Sequence, residues 1–166
     1  MGRFVSEYGG ICEGQFKNGL QHGEFIVTYS NNSIYEGKYS YGLQNDEHAV
    51  KTWENGDIEE GIYKDGYIIN GSRTWANGDQ YIGEFKDGSF DGYGIYKYSN
   101  GTLYKGVWQK NLEHGKASIN YASGGSYQGE FRNGLYHGLG KEISANGDSY
   151  IGEYLNDEEH GEGTYK

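Results

Sequence analysis

The sequence predicts an all-β fold, an elongated single-layer antiparallel meander of β-hairpins with about 14 strands. Three observations lead there. The composition is 30 glycines, 18 tyrosines and no proline among 166 residues, the vocabulary of strands and tight turns. A short motif recurs at a nearly constant interval. No segment carries the 3.6-residue apolar periodicity of a helix.

The recurring motif is aromatic-x-Gly-x-aromatic. Its glycines are Gly14, Gly37, Gly61, Gly83, Gly106, Gly129 and Gly152, at spacings of 23, 24, 22, 23, 23 and 23. One full unit reads Tyr81-Ile82-Gly83-Glu84-Phe85, then Asp87-Gly88, then Gly92-Tyr93-Gly94-Ile95-Tyr96-Lys97-Tyr98, then Ser99-Asn100-Gly101. Each unit holds two alternating runs of strand length separated by Asp-Gly or Asn-Gly. Those dipeptides tolerate positive φ at both central turn positions and mark hairpins. A two-residue turn at Asp87-Gly88 places Phe85 opposite Phe90, Gly83 opposite Gly92 and Tyr81 opposite Gly94. An aromatic facing a glycine can lie across the bare backbone and restore the packing that glycine lacks.

A period of 23 is odd. Two-residue loops alone would send Tyr81 and Tyr104 to opposite faces, so each repeat needs one odd-length loop or bulge. The Ser99-Asn100-Gly101 corner is the expected place, with Gly101 left-handed. The spacings of 24 and 22 predict an irregularity near residues 42–50 and 66–71, where Asn45-Asp46-Glu47-His48-Ala49 replaces the His-Gly-x-Gly run found at 137–140. Residues 11–166 read as seven tandem repeats in one domain, and residues 1–10 as a half-repeat or cap strand.

The pattern Tyr-x-Gly-x-aromatic, (Asn/Asp)-Gly, His-Gly-x-Gly, Asn-Gly-(Asp/Thr) resembles the MORN repeat over nearly the whole chain. It departs from the family pattern in repeats 2 and 3 and at Cys12, which stands in place of the usual tyrosine. The resemblance implies a twisted sheet with a groove. It also implies non-catalytic scaffolding in cytoskeletal, ciliary or membrane-associated assemblies, with dimerisation as a further family property.

Charge narrows the partners. The net charge is −10, spread evenly and without a basic block, which disfavours nucleic acid and anionic membrane. Cys12 is the single cysteine, so no internal disulfide and no multi-cysteine metal site is available, and a reducing, cytoplasmic setting is expected. No stretch has the length of a membrane helix, and the N-terminus lacks the apolar core of a signal peptide. Met1-Gly2 with Ser6 fits the loose myristoylation pattern, with no basic patch to assist it. The sequons at Asn31, Asn70 and Asn100 read as turn chemistry.

Histidines His22, His114, His137 and His160 share one repeat position. Equivalent positions lie about 9.6 Å apart, two strands away, too far for one metal, so neither a metal nor a cofactor is expected. Glu13, Glu36, Glu84, Glu130 and Glu153 read as a solvated face rather than a catalytic carboxylate pair. Gly138-Leu139-Gly140 falls in a strand and is no nucleotide fingerprint. The informative surface is aromatic. Tyr81, Phe85, Tyr96, Tyr98, Tyr104, Trp108, Tyr121, Tyr127, Phe131 and Tyr150 are expected to line one side as a groove. A helix or an extended segment of another protein, or a second copy of the chain, would lie there. A lipid-head-group module and a carbohydrate-binding module are the alternatives.

Overall fold

The computed structural model describes residues 2–5 and 10–166. Every regular element among them is a strand. These are β1 (Gly2–Val5), β2 (Ile11–Lys17), β3 (Leu20–Thr28), β4 (Ile34–Ser40), β5 (Leu43–Gln44), β6 (Asp46–Thr52), β7 (Ile58–Lys64), β8 (Tyr67–Thr74), β9 (Gln80–Lys86), β10 (Ser89–Lys97), β11 (Leu103–Gln109), β12 (Leu112–Asn120), β13 (Ser126–Arg132), β14 (Leu135–Ile143), β15 (Ser149–Leu155) and β16 (Glu158–Tyr165). They form one antiparallel sheet whose hydrogen-bonded neighbours follow chain order, with β5 pairing β4 alone. Met1 and Ser6 of the lipidation pattern lie outside the described residues, as do the rest of 6–9. Strand β1 pairs with β2, Gly2 opposite Gly14.

Turn chemistry sets the hairpins. Among the described residues, seven two-residue turns have positive φ at both positions, including Asn18-Gly19, Asp87-Gly88 and Asn133-Gly134. This is the type I′ geometry, whose twist matches that of the flanking strands. Tyr41-Gly42, Lys110-Asn111 and Asn156-Asp157 adopt it as well, without the full dipeptide signal. The other corners are the odd-length loops that the period demands. At 98–102 the Tyr98 amide donates to the Thr102 carbonyl at 2.9 Å and the Gly101 amide to the Tyr98 carbonyl at 2.9 Å. Gly101 sits at φ 95°, so three residues turn the chain and equivalent tyrosines share a face.

The corners also explain the Asn-Gly-(Asp/Thr) signature. Asn100 Oδ1 accepts the Thr102 amide at 2.8 Å, closing the loop on itself. The Thr102 hydroxyl then accepts the Ala122 amide of the next corner at 3.2 Å, and Asp79 Oδ1 accepts the Ser99 amide at 2.7 Å. Asp57 likewise accepts the Ala76 amide at 3.0 Å, so the corners ending at 57, 79 and 102 each supply an acceptor to the one that follows. Asn31 and Asn100 serve corners as expected. Asn70 does not, because it lies within β8 opposite Ile62, at a register shift.

The expected pairing of Gly83 with Gly92 is corrected. In β11–β12 the partner of Gly106 is Ala117 and that of Val107 is His114, so two extra residues, Gly115 and Lys116, bulge out. The same shift puts Gly129 opposite Gly140 and Gly152 opposite Gly163. In the expected hairpin, a Cβ on Gly83 would lie 2.6 Å from the Gly94 Cα, so Gly94 takes the place assigned to Gly92. Gly115 at φ 62° supplies the left-handed residue of such a bulge. The irregularity in repeats 2 and 3 is also present. The run after β4 splits into β5 and β6 around Asn45, and the β7–β8 bulge is one residue instead of two.

The described chain divides into two compact units: residues up to Asn77 with Phe85–Gly88, and Gly78–Glu84 with Ser89–Lys166.

Candidate functional site

The aromatic face of the second unit is built from one motif used repeatedly. The first tyrosine of each repeat lies flat along its own strand. A Cβ on Gly83 would come 2.6 Å from the Tyr81 hydroxyl, and one on Gly94 2.5 Å from the same ring. Paired glycines therefore form a furrow that the phenol fills. The ring is held at its tip, where Tyr81 donates to the Glu84 carbonyl at 2.8 Å, Tyr104 to Val107 at 2.9 Å and Tyr127 to Glu130 at 3.1 Å. Tyr81, Tyr104 and Tyr127 are 0% exposed, although no second layer covers the sheet.

The second aromatic of each repeat packs edge-on between neighbouring tyrosines. Tyr104 meets Trp108 at 4.9 Å and Phe131 at 5.3 Å, and Tyr127 meets Phe131 at 5.2 Å and Tyr154 at 5.2 Å. Edge-to-face pairs contribute about 0.5–1.5 kcal/mol each beyond burial. A third ring stacks on the furrow tyrosine, Phe90 on Tyr81 at 3.8 Å and Tyr136 on Tyr127 at 3.6 Å.

This packing decides the fate of the ten residues named from sequence. Tyr81, Tyr104, Trp108, Tyr127, Phe131 and Tyr150 are buried in the layer and hold the sheet, so their rings offer almost no contact surface. Phe85 is buried in the first unit, under the Arg73 guanidinium, whose carbon lies 5.6 Å from the ring. Tyr96 and Tyr98 are half-buried, with ring centroids 4.5 Å apart, and Tyr121 is exposed. These three are the accessible part of the set. The glycines Gly37, Gly83, Gly106, Gly129 and Gly152 take the close-approach role, each meeting a ring or a facing backbone where a Cβ would stand. Gly14 and Gly61 are equally enclosed, by Phe25 and by Gly71.

The carboxylates that accept from the phenols of this face were not singled out from sequence. Tyr96 donates to Asp79 at 3.2 Å, Tyr98 to Glu113 at 3.5 Å and Tyr154 to Glu142 at 3.1 Å. Tyr121 and Tyr136 share a short hydroxyl contact. Burial, then the Glu113 charge, pushes the Tyr98 phenol up to about 12. Burial and the Glu130 charge push Tyr127 up to about 12. The signal for Glu113 was available, since it occupies the position that Phe90 and Tyr136 fill in neighbouring repeats.

The first unit has its own departure. Glu59 stands two residues before Gly61, where Tyr35, Tyr81 and Tyr104 stand in other repeats, and it is buried. Tyr63 and Arg73 both bond to its carboxylate, Arg73 Nε at 2.9 Å. Arg73 also lies over Trp53 at 5.6 Å, and Lys51 lies over Trp53 at 5.1 Å and Tyr29 at 5.4 Å.

The recurrent glutamates are not all idle on a solvated face. Glu84 Oε1 accepts the Tyr93 amide at 3.1 Å and closes the bulge, whereas Glu13 pairs with Arg3 at 3.1 Å on the surface. Among the described residues, no group of three or more His, Cys, Asp or Glu side chains is arranged to hold a metal ion. The Nδ1 atoms of His22, His114 and His137 are buried without a hydrogen-bond partner. Cys12 is a buried free thiol. No helix among the described residues is long and apolar enough to cross a membrane.

No curated protein matches the sequence. Among solved structures the chain is similar to the TCP domain of SAS-4 (dCPAP) of Drosophila melanogaster, in complex with a proline-rich motif of Ana2 (dSTIL). That likeness has 12% identity and a TM-score of 0.48, covering 98% of this chain and 87% of that one. It is also similar to the wild-type TCP10 domain of Danio rerio CPAP, at 13% identity and a TM-score of 0.27, covering 91% and 93%. The family model described as the MORN repeat matches residues 12–33, 81–103, 104–126, 127–149 and 150–166. Those stretches make up well over half of the sequence and begin on the furrow position occupied by Cys12, Tyr81, Tyr104, Tyr127 and Tyr150. The chain belongs to the MORN-repeat family.

Proposed function

We propose that the chain is a non-catalytic protein-binding scaffold, and that its contact surface is the accessible part of the aromatic face of the second unit. The observation that carries this reading is the division of labour within that face. The furrow tyrosines are buried and bond to their own backbone, and their edge-on partners are buried with them, whereas Tyr96, Tyr98 and Tyr121 keep exposed area. Tyrosine offers large apolar area with a polar tip and little rotamer entropy to lose, which suits it to protein interfaces. The partner in this reading is another protein, and the setting is the cytoplasm, in cytoskeletal, ciliary or membrane-associated assemblies. Residues 11–166 act as an array of seven repeats, with residues 1–10 supplying the cap strand.

The test uses a double variant, Tyr98→Ser with Tyr121→Ser, which spares the buried layer. After circular dichroism has shown it folded, its recovery of proteins from source lysate is compared with that of the native chain. A protein recovered only by the native chain supports the reading. Equal recovery by both moves binding off this face and defeats it.

A further inference from the structure

The aromatic face of the second unit carries charge of one sign. Glu113 is the cross-strand partner of Trp108, Glu142 of Tyr127 and Tyr150, and Glu159 of Tyr154. Cross-strand partners share a face, so these three carboxylates stand among the rings, and Asp79 joins them through Tyr96. The cations of the unit are elsewhere. Lys105, Lys116 and Lys141 pair with Ser118, Glu130 and Gln128 on the opposite face. Lys97 and Arg132 alternate away from Tyr96 and Phe131. Lys110 lies in a turn, and Lys166 follows β16.

A second observation is independent of the carboxylates. The Trp108 indole Nε1 is buried with no acceptor, in a side chain that is 4% exposed. Its ring packs 5.8 Å from that of Tyr96, beside the accessible part of the face. A buried N–H without an acceptor is costly, and a backbone carbonyl laid over this position would satisfy it.

We infer that this face takes an extended segment of another protein that bears arginine or lysine. The inference rests on the scaffold reading and specifies its partner. Arginine stacks on Tyr and Trp faces and pairs with carboxylates through one planar group, and this surface offers both together. Spacing favours an extended chain. Glu113, Glu142 and Glu159 come from alternate strands β12, β14 and β16. Glu142, which faces Tyr150, is also displaced four residues along β15 from Glu159, which faces Tyr154. Neighbouring carboxylates therefore stand about 16 Å apart or more, and an extended chain covers about 16 Å in about five residues. A helix needs about eleven residues for the same rise, so it presents one cation where the extended chain presents two.

The test is fluorescence anisotropy at low salt with the full chain and three labelled peptides of about twelve residues. They carry arginine, glutamine or glutamate at every fifth position and are otherwise identical. The arginine peptide is expected to bind and the glutamate peptide to fail. Glu113→Gln with Glu142→Gln keeps a hydrogen-bond acceptor for Tyr98 and Tyr154 while removing charge. It should weaken the arginine peptide about tenfold, the combined effect of two exposed ion pairs. Failure of the arginine peptide to bind, or equal binding to native chain and double variant, overturns the inference. If the glutamine peptide binds as well as the arginine one and is lost in the Tyr98→Ser/Tyr121→Ser variant, the charge specificity falls and the scaffold reading stands.

Discussion

Tyr81 shows how a single sheet buries a large ring without a covering layer. The ring needs a floor, and Gly83 and Gly94 provide it by having no side chains. Gly83→Ala would set a methyl 2.6 Å from both the Gly94 Cα and the Tyr93 carbonyl. Backbone atoms do not move aside cheaply, so a loss of about 1–3 kcal/mol is expected from urea unfolding, with Tyr81 expelled from its furrow. The buried phenols add a pH dependence. Burial raises Tyr98 and Tyr127 to about 12, above the ordinary phenol value of about 10. The folded state therefore holds these protons more tightly than the unfolded one. That stabilisation is complete below pH about 10 and is lost as pH rises towards 12. The part of the phenolate absorbance that comes from the buried rings should accordingly appear together with loss of the β-sheet dichroism. Glu59 is a different residue-scale risk. Arg73→Met would leave a buried carboxylate with Tyr63 alone, and thermal denaturation should report a loss of about 3 kcal/mol, the lower end for breaking a buried pair, since the guanidinium is partly solvated.

Hairpins are the next scale, and their turns divide into legible and illegible ones. Asn18-Gly19 and Asp87-Gly88 announce themselves. Lys110-Asn111 does not, and only the register of the repeat locates it. Asn111 is retained there for its side chain, whose Oδ1 accepts the Phe90 amide at 2.7 Å. Lys110 makes no such use of its side chain and sits at φ 51°, which costs about 1 kcal/mol relative to glycine. Lys110→Gly should therefore raise the urea midpoint, whereas Asn111→Gly should lower it. The bulge at Gly115 and Lys116 escaped the parity argument for a physical reason. Alternation registers an odd insertion as a change of face. Two inserted residues return every later side chain to its original face, so the pattern is blind to them. The three-residue corner at 99–101 is odd, and it was predicted.

At the scale of the molecule, the seven-fold motif made the meander readable from sequence, while the candidate site was only half readable. The rings were identified as one face because their spacing fixes their side. Their accessibility was not, since exposure depends on how flat a ring lies, and that follows from the glycine furrow. Glu113 and Glu142 were hidden for a related reason: each departs from the repeat at a different position, so neither forms a pattern with the other. Neighbours in the sheet are neighbours in the chain, so stabilising contacts are local and cooperativity between distant repeats is limited. Trp53 and Trp75 lie in the first unit and Trp108 in the second. In a Trp108→Phe variant, the urea transition followed by fluorescence should differ in midpoint from that followed by far-ultraviolet dichroism. Coincident curves would show that the whole sheet melts as one.

The acceptors handed from corner to corner, Asp79 to Ser99 and Thr102 to Ala122, bear on how such a chain can change length. A whole block of 23 residues, duplicated in place, arrives with an amide for the acceptor before it and an acceptor for the amide after it. A block that is not a whole number of repeats leaves one of the two orphaned and turns the following tyrosines off their furrows. Growth and loss by complete modules is therefore the low-cost route, for natural descent and for anyone wishing to lengthen the sheet by design.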